Sequence, residues 1–308
     1  MRAKGSQLKI AIFGNKRLTY SFFRDLLDLA ECAAEQISLV TLSRQAMQGH
    51  SISGVDENIE NSFAMAGANV LPVDRYDLSG PNEELKGFLS DVDFGFSIGW
   101  QRIIPKPISS RFRVGLFGWH ASPFRLPNGS GRSPINWAIR LGFEETWLNC
   151  FRYSEFVDKG PIFNRTRVSI AQSDYISDII SKVLKLQVVD AARLIAIGDE
   201  VTPALVPQPG MQALWFPKLS DADGELQPCA MYVENALNIV RATSHPFPGA
   251  WVRLGDVGSF ARVWSATVAD ERWGAVLSCP GGGVIDGKLW IKFLDGFLVS
   301  DHFDIVGK

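Results

Sequence analysis

Apolar residues fall along the first 120 positions in short, almost continuous runs that alternate with stretches of helical period. Leu8–Phe13 is an apolar run that stops at Gly14-Asn15, as a buried parallel strand does. Tyr20–Cys32 follows, with Phe22, Phe23, Leu26, Leu27 and Leu29 on one helical stripe. The same reading places strands at Ile37–Leu42, Asn69–Val73, Phe94–Ile98 and Val114–Trp119, with helices at Ile59–Ala66 and Glu83–Leu89 between them. Strands alternating with helices predict βαβ units and a Rossmann-like, mostly parallel sheet of α/β class. In such sheets ligands bind at the carboxyl ends of the strands.

A helix is predicted over Pro134–Leu141, strands over Trp147–Tyr153 and Pro161–Ile170, and a long helix over Tyr175–Ile197 that Gly198 terminates. Pro203, Pro207 and Pro209 then mark a stiff, extended linker. Beyond it the pattern changes. Val233–Ala242 reads as a short helix, and Trp251–Lys308 as brief strands separated by glycine turns, with Gly281-Gly282-Gly283 read as a hairpin turn. The expected layout is a larger α/β domain over residues 1–206 and a smaller C-terminal β-rich, OB-like barrel domain over 207–308.

Composition narrows this picture only a little. A chain of 308 residues suggests two domains, and 31 basic against 33 acidic side chains give no general electrostatic attraction to nucleic acid or membranes. No apolar run approaches the ~18–20 residues that span a bilayer, and the N-terminal stretch does not read as a signal peptide. Cys32, Cys150, Cys229 and Cys279 are dispersed and form no CxxC, which argues against a zinc site or a disulfide framework. His50, His245 and His302 lack ligand spacing, so no metal is expected. The expectation is a cytoplasmic protein with reduced thiols, with no membrane partner and with homodimerisation left open.

The Gly14-Asn15-Lys16 turn lacks GxGxxG, and Pro127–Ser133 lacks the Gly-Lys-Ser/Thr ending of a phosphate loop, so both read as connections. His120 stands apart because it ends the fifth predicted strand. Asp158, in the loop Val157–Pro161, is a candidate carboxylate partner, and a histidine beside a carboxylate suits acid–base work near neutral pH.

The stretch Gly115–Trp137 (GLFGWHASPFRLPNGSGRSPINW), with Glu145-Thr146 and Val157–Ile162 (VDKGPI), resembles the N10-formyltetrahydrofolate-dependent formyltransferases. Asn238–Ala250 (NIVRATSHPFPGA) is similar to the segment by which that family enters its small C-terminal β domain. The resemblance implies that His120 and Asp158 are catalytic and that the acceptor amine attacks the formyl carbon of N10-formyltetrahydrofolate, the formyl-donor cosubstrate. It also implies that Trp100, Gln101, Arg102, Ile103 and Ile104 together with Phe156, Val157 and Gly160 hold the pterin and its linker. The runs Ser97–Ile108 and Gly131–Trp137 are more similar to the sugar N-formyltransferases, which implies a nucleotide-linked amino sugar as acceptor. Methionyl-tRNA is the alternative acceptor.

One departure is conspicuous. The family's catalytic asparagine falls two positions before the histidine, where this chain has Gly118, and the loop after His120 is longer than usual by about two residues. Loss of one oxyanion-hole donor costs ~2.7–4 kcal/mol, roughly a hundred- to a thousand-fold in rate. Three readings follow. Another donor, Asn128, Asn149 or a water, replaces the asparagine; the enzyme is slow or changed in its reaction; or the fold is kept only to bind folate or sugar. The first two together are favoured because His120 and Asp158 are both present. Trp119 and Trp147, the latter where the family has glycine, are expected to crowd the site.

Overall fold

The computed structural model describes residues 8–48, 54–210, 214–255, 258–269, 277 and 279–307. Its first layer is a seven-stranded sheet. In chain order it is built from β1 (Ile10–Phe13), α1 (Arg17–Ala30), β2 (Ile37–Leu42), α2 (Arg44–Gln48), α3 (Ile59–Met65), β3 (Asn69–Val73), α4 (Glu83–Phe88), β4 (Phe94–Ser97), α5 (Lys106–Ser109), β5 (Gly115–Ser122), β6 (Ser130–Gly131), α6 (Pro134–Arg140), β7 (Glu145–Arg152) and β8 (Ile162–Ser169). The strand order is β3-β2-β1-β4-β5-β7-β8, with β6 outside it. Pairings among β1–β5 are parallel, and β5/β7 and β7/β8 are antiparallel.

The inner apolar runs became parallel strands because both their faces are covered, whereas the edge strand β3 is only partly buried. All four residues of β1 are buried, and Phe22, Phe23 and Leu26 of α1 are fully enclosed against the sheet. Each such side chain contributes about 1.5–3 kcal/mol of burial. At the end of β1 the chain turns at Gly14, where a Cβ would stand 2.2 Å from the carbonyl oxygen of Ile98. Glycine is therefore what lets the carboxyl ends of β1 and β4 approach, at the point where the strand order reverses. The long helix α7 (Ile176–Ile197) packs on α1, and its C-cap Gly198 has φ 61°.

The proline segment is not a free linker. Its first part folds into α8 (Val201–Ala204), Val206 bridges to Ile162, and β9 (Trp215–Phe216) pairs with β6. A further helix, α9 (Val233–Thr243), packs on α6, where the Asn136 side chain donates to Ala242 O at 2.7 Å. Arg241 of α9 donates to the carbonyls of Ala171 and Asp174 ahead of α7.

A second, antiparallel sheet of order β10-β11-β14-β13-β12 comprises β10 (Ala250–Arg253), β11 (Phe260–Ala269), β12 (Gly281–Ile285), β13 (Lys288–Lys292) and β14 (Phe297–Val306). A bridge between Leu254 and Gly282 draws its two edges together, giving a curled half-barrel. Gly281–Gly283 is a strand rather than the expected turn. The hairpin turns at Asp286-Gly287, both at positive φ (52° and 74°), the conformation a two-residue type I′ turn requires.

Candidate active site

His120 lies on β5 at the carboxyl side of the parallel strands, buried, with Gly118 and Ser122 on the same face. Opposite it on β7 stands Asn149, and beyond Asn149 on β8 stands Arg165. The register also aligns Ser122, Trp147 and Arg167 in a second row of that face. Trp119 alternates to the other face. It packs edge-on against Phe22 (6.1 Å), and its indole N–H donates to Asp190 at 3.0 Å, so it lines the core and leaves the site to Trp147. Burial raises the Asp190 carboxyl, while bonds from Asn164 and Trp119 oppose the rise.

The imidazole is held from two sides. Its Nε2 lies 2.8 Å from Gly129 O, and Nδ1 lies 3.5 Å from Asp158 Oδ2. Gly129 O also accepts from the Ser122 hydroxyl at 2.9 Å. The lengthened loop can fold this closely over the histidine because Gly129 has φ 75° and a Cβ there would lie 1.9 Å from Ser122 Oγ. A proton on either ring nitrogen thus faces an oxygen: the Gly129 carbonyl fixes the ring through Nε2, and proton exchange is left to the Nδ1 side that Asp158 faces.

Asp158 is presented from the loop between β7 and β8 with φ 56°, a left-handed conformation that aspartate tolerates better than most residues. Gly160 closes the same loop, where a Cβ would sit 1.7 Å from Arg152 O. Gln208 then clasps it, donating to Asp158 O at 2.8 Å and to Gly160 O at 2.7 Å. Sequence reasoning missed Gln208, since it lies in the proline stretch read as linker.

Two side chains proposed to replace the missing asparagine have other duties. Asn149 donates to His120 O and Trp147 O and accepts from Leu126 N, so its amide is spent on fixing the loop. Asn128 accepts from Leu214 N at 3.4 Å, tying the loop to the segment that leads into β9. The room beside Gly118 belongs instead to Tyr153, whose ring carbon Cε1 lies 2.3 Å from where a Cβ at 118 would stand. Burial pushes the Tyr153 hydroxyl up to about 12, with the nearby Asp158 charge adding to the rise, so the group stays protonated at neutral pH.

The expected folate-contacting residues divide into two kinds. Trp100 and Ile104 are buried, Trp100 edge-on to Phe13 and Tyr76, with its indole N–H making no hydrogen bond. Gln101 donates its backbone N–H to Tyr76 Oη at 2.9 Å, and the Arg102 guanidinium lies 5.1 Å from the Tyr76 ring centre. Ile103, Phe156 and Val157 are exposed apolar side chains, at 67%, 71% and 47%. A Lys106–Glu155 ion pair ties the segment after β4 to the Asp158 loop. That pair links the residue just after Trp100–Ile104 and Pro105 to the loop that carries Phe156, Val157 and Gly160.

Trp147 lies between two guanidinium groups, with Arg125 4.0 Å and Arg167 5.2 Å from its ring centre. Arg165 is close enough to Arg125 for the two charges to interact. Among the described residues no group of three or more His, Cys, Asp or Glu side chains is placed to hold a metal ion, and no helix is long and apolar enough to cross a membrane.

This fold and pair define a class. The sequence profile of the formyl transferase family matches residues 20–191, more than half of the 308-residue chain, and the chain belongs to that family. It is 30% identical over 205 residues to a methionyl-tRNA formyltransferase of Chlorobium chlorochromatii, a match covering 64% of this chain and 61% of the relative. The chain thus spans less than two thirds of the length of that curated relative. An N-formyltransferase from Helicobacter canadensis, solved with folinic acid and dTDP-3-aminofucose, superposes with a TM-score of 0.63 at 14% identity, covering 95% of this chain and 98% of that one. A methionyl-tRNA formyltransferase from Clostridium thermocellum does so with a TM-score of 0.60 at 15% identity, covering 98% and 100%. At these identities the likeness is one of fold, and it extends through the C-terminal half-barrel.

Proposed function

We propose that the chain moves a formyl group from N10-formyltetrahydrofolate to an amine on an anionic acceptor, a nucleotide-linked amino sugar. The observation that carries the reaction is the approach of Asp158 to His120 on the carboxyl side of the parallel sheet. In this reading the domain over 1–206 binds folate and performs the chemistry, and 207–308 forms the smaller C-terminal domain.

The residues fit the donor. Ile103, Phe156 and Val157 offer apolar surface on two segments tied by the Lys106–Glu155 pair, and the unmatched indole N–H of Trp100 offers a donor for a heterocycle's edge. With Nε2 held by Gly129 O, the His120–Asp158 pair takes, on its Nδ1–carboxylate side, the proton that the attacking amine sheds as its nitrogen bonds to the formyl carbon. The bond from that carbon to N10 then breaks, and N10 receives a proton through the same pair. Gly129 O holds the far side of the imidazole, which fixes the ring while protons pass.

The sugar-nucleotide reading rests on Trp147. It lies on the face of His120, one row along, flanked by Arg125 and Arg167 with Arg165 nearby. An aromatic platform bordered by guanidinium groups suits a nucleobase or sugar with its phosphates. The Helicobacter canadensis protein of the same fold was solved with such a molecule. Methionyl-tRNA is the second reading, favoured by the sequence identity to methionyl-tRNA formyltransferases.

The test is formyl transfer from N10-formyltetrahydrofolate to a panel of nucleotide-linked amino sugars and methionyl-tRNA, with His120→Ala as control. Transfer to an amino sugar that His120→Ala abolishes is the expected result. Transfer to methionyl-tRNA alone replaces the acceptor, and equal rates for wild type and His120→Ala overturn the catalytic assignment.

A further inference from the structure

Gly118 and Tyr153 form a pair in which each residue dictates the other. An ideal Cβ on Gly118 would stand 2.3 Å from Tyr153 Cε1 and 3.2 Å from both its Cζ and its hydroxyl oxygen. Atoms do not approach so closely, so no larger residue fits at 118 while the ring is in place. Conversely, the phenol oxygen occupies the volume that a side chain at 118 would fill, two positions before His120 on the same strand face.

We infer that Tyr153 supplies the hydrogen-bond donor that a side chain at position 118 would otherwise offer, its O–H stabilising the oxyanion of the transferring formyl group. This inference rests on the formyl-transfer reading of the site. Three observations support it. The ring is braced by near-parallel stacking on Phe151, with centres 5.8 Å apart, and the Tyr153 backbone N–H is anchored to Leu116 O at 2.7 Å. The hydroxyl thus arrives on a fixed arm, which is what an oxyanion donor requires. The Asp158 charge is near enough to the hydroxyl to act on it. Finally, burial keeps the proton on the oxygen. Asn149, by contrast, has both ends of its amide committed.

In the step so described the amine nitrogen bonds to the formyl carbon and the C=O electron pair moves onto oxygen, where Tyr153 O–H meets the negative charge. The pair returns as the bond from carbon to N10 breaks. The proton lost by the amine passes through His120 to N10, and Tyr153 keeps its own proton throughout.

Tyr153→Phe keeps the ring and removes only the hydroxyl. Turnover is read in two ways, as transfer to an acceptor amine and as slow release of formate from N10-formyltetrahydrofolate, because attack by water passes through the same oxyanion. The expected result is a fall of roughly a hundred- to a thousand-fold in kcat with folate affinity and Tm unchanged. Turnover by Tyr153→Phe within threefold of wild type overturns the inference. A double variant, Tyr153→Ala with Gly118→Asn, makes room for an amide in place of the phenol and is expected to recover at least tenfold over Tyr153→Ala alone. Binding of a carbon-13-formyl folate analogue adds a readout that needs no turnover. A formyl resonance that shifts between wild type and Tyr153→Phe supports the contact, and an identical resonance overturns it. If wild type releases formate but formylates no acceptor, the acceptor assignment fails while the Tyr153 comparison still stands.

Discussion

Nδ1 of His120 lies 3.5 Å from Oδ2 of Asp158, and both side chains are largely buried. The carboxylate reaches this position only because residue 158 takes a left-handed backbone, φ 56°. Asp158→Asn tolerates the same conformation and keeps the shape, so it isolates the charge. It is expected to lower kcat by about a hundred- to ten-thousand-fold with little change in Tm. Asp158→Leu loses the charge and adds roughly 1–2 kcal/mol of backbone strain, so its Tm falls as well. Equal melting curves for the two variants would contradict the conformational part of this argument.

The Asp158 loop depends on Gln208, whose amide nitrogen serves the carbonyls of Asp158 and Gly160 together. Gln208→Ala leaves both carbonyls without that donor, at a cost of about 1–3 kcal/mol. The loss is local, so the variant should show faster proteolytic cleavage within residues 154–160 and a higher KM for folate. Gly160→Ala acts on the same loop more harshly. Its methyl group would meet Arg152 O at 1.7 Å, and the backbone has to move to admit it. Its kcat should fall with the loop's displacement, while Gln208→Glu, which keeps the size but not the donor, should resemble Gln208→Ala.

Trp147 and its guanidinium neighbours are predicted to act on the acceptor alone. Arg125 is exposed and Trp147 half-buried, so neither supports the core. Arg125→Ala should raise KM for a nucleotide-linked acceptor roughly tenfold at low salt, leave KM for the folate unchanged, and lose much of its effect in 1 M salt, where the Debye length falls to about 3 Å. An equal rise in both KM values would show that the arginine shapes the whole site instead.

Periodicity and steric signals made most of the catalytic layer legible, and its limits have physical causes. β2 and β3 fall on their predicted residues because Ile37–Leu42 and Asn69–Val73 are short apolar runs bounded by polar residues. His120 and Asp158 were readable through strand-end position and family resemblance, and the structure brings them together. Tyr153 was hidden because its importance is a relation to Gly118 across a sheet, and one sequence does not show which side chain fills the space left by a glycine. Gln208 was hidden by Pro207 and Pro209, which signal extended backbone whether a segment is loose or laid against a domain. The turn expected at Gly281–Gly283 moved to Asp286-Gly287 because three glycines are equally at home in a strand paired with β13, whereas Asp-Gly specifies the primed turn.

Lys16, at the turn between β1 and α1, gives a pH signature of its own. Its stem packs beside Gly99, and burial lowers its amine from 10.5 to about 8. The folded chain therefore holds fewer protons than the unfolded chain between these values. Where the unfolded state binds more protons, stability rises with pH. The penalty for the charged amine is thus fully present below pH 8 and fades as pH climbs toward 10.5. Lys16→Met keeps an apolar stem and removes the charge, and after discounting for partial exposure it should stabilise the protein by about 1–2 kcal/mol at pH 7. The gain should shrink to roughly a quarter of its neutral-pH value by pH 10, and it disappears only above 10.5, where the unfolded chain is neutral at this position too. Thermal denaturation of both proteins from pH 6 to 10 reads the difference directly and cancels the titration of other groups. A constant gap between the two curves would show that packing alone, without the proton, separates them.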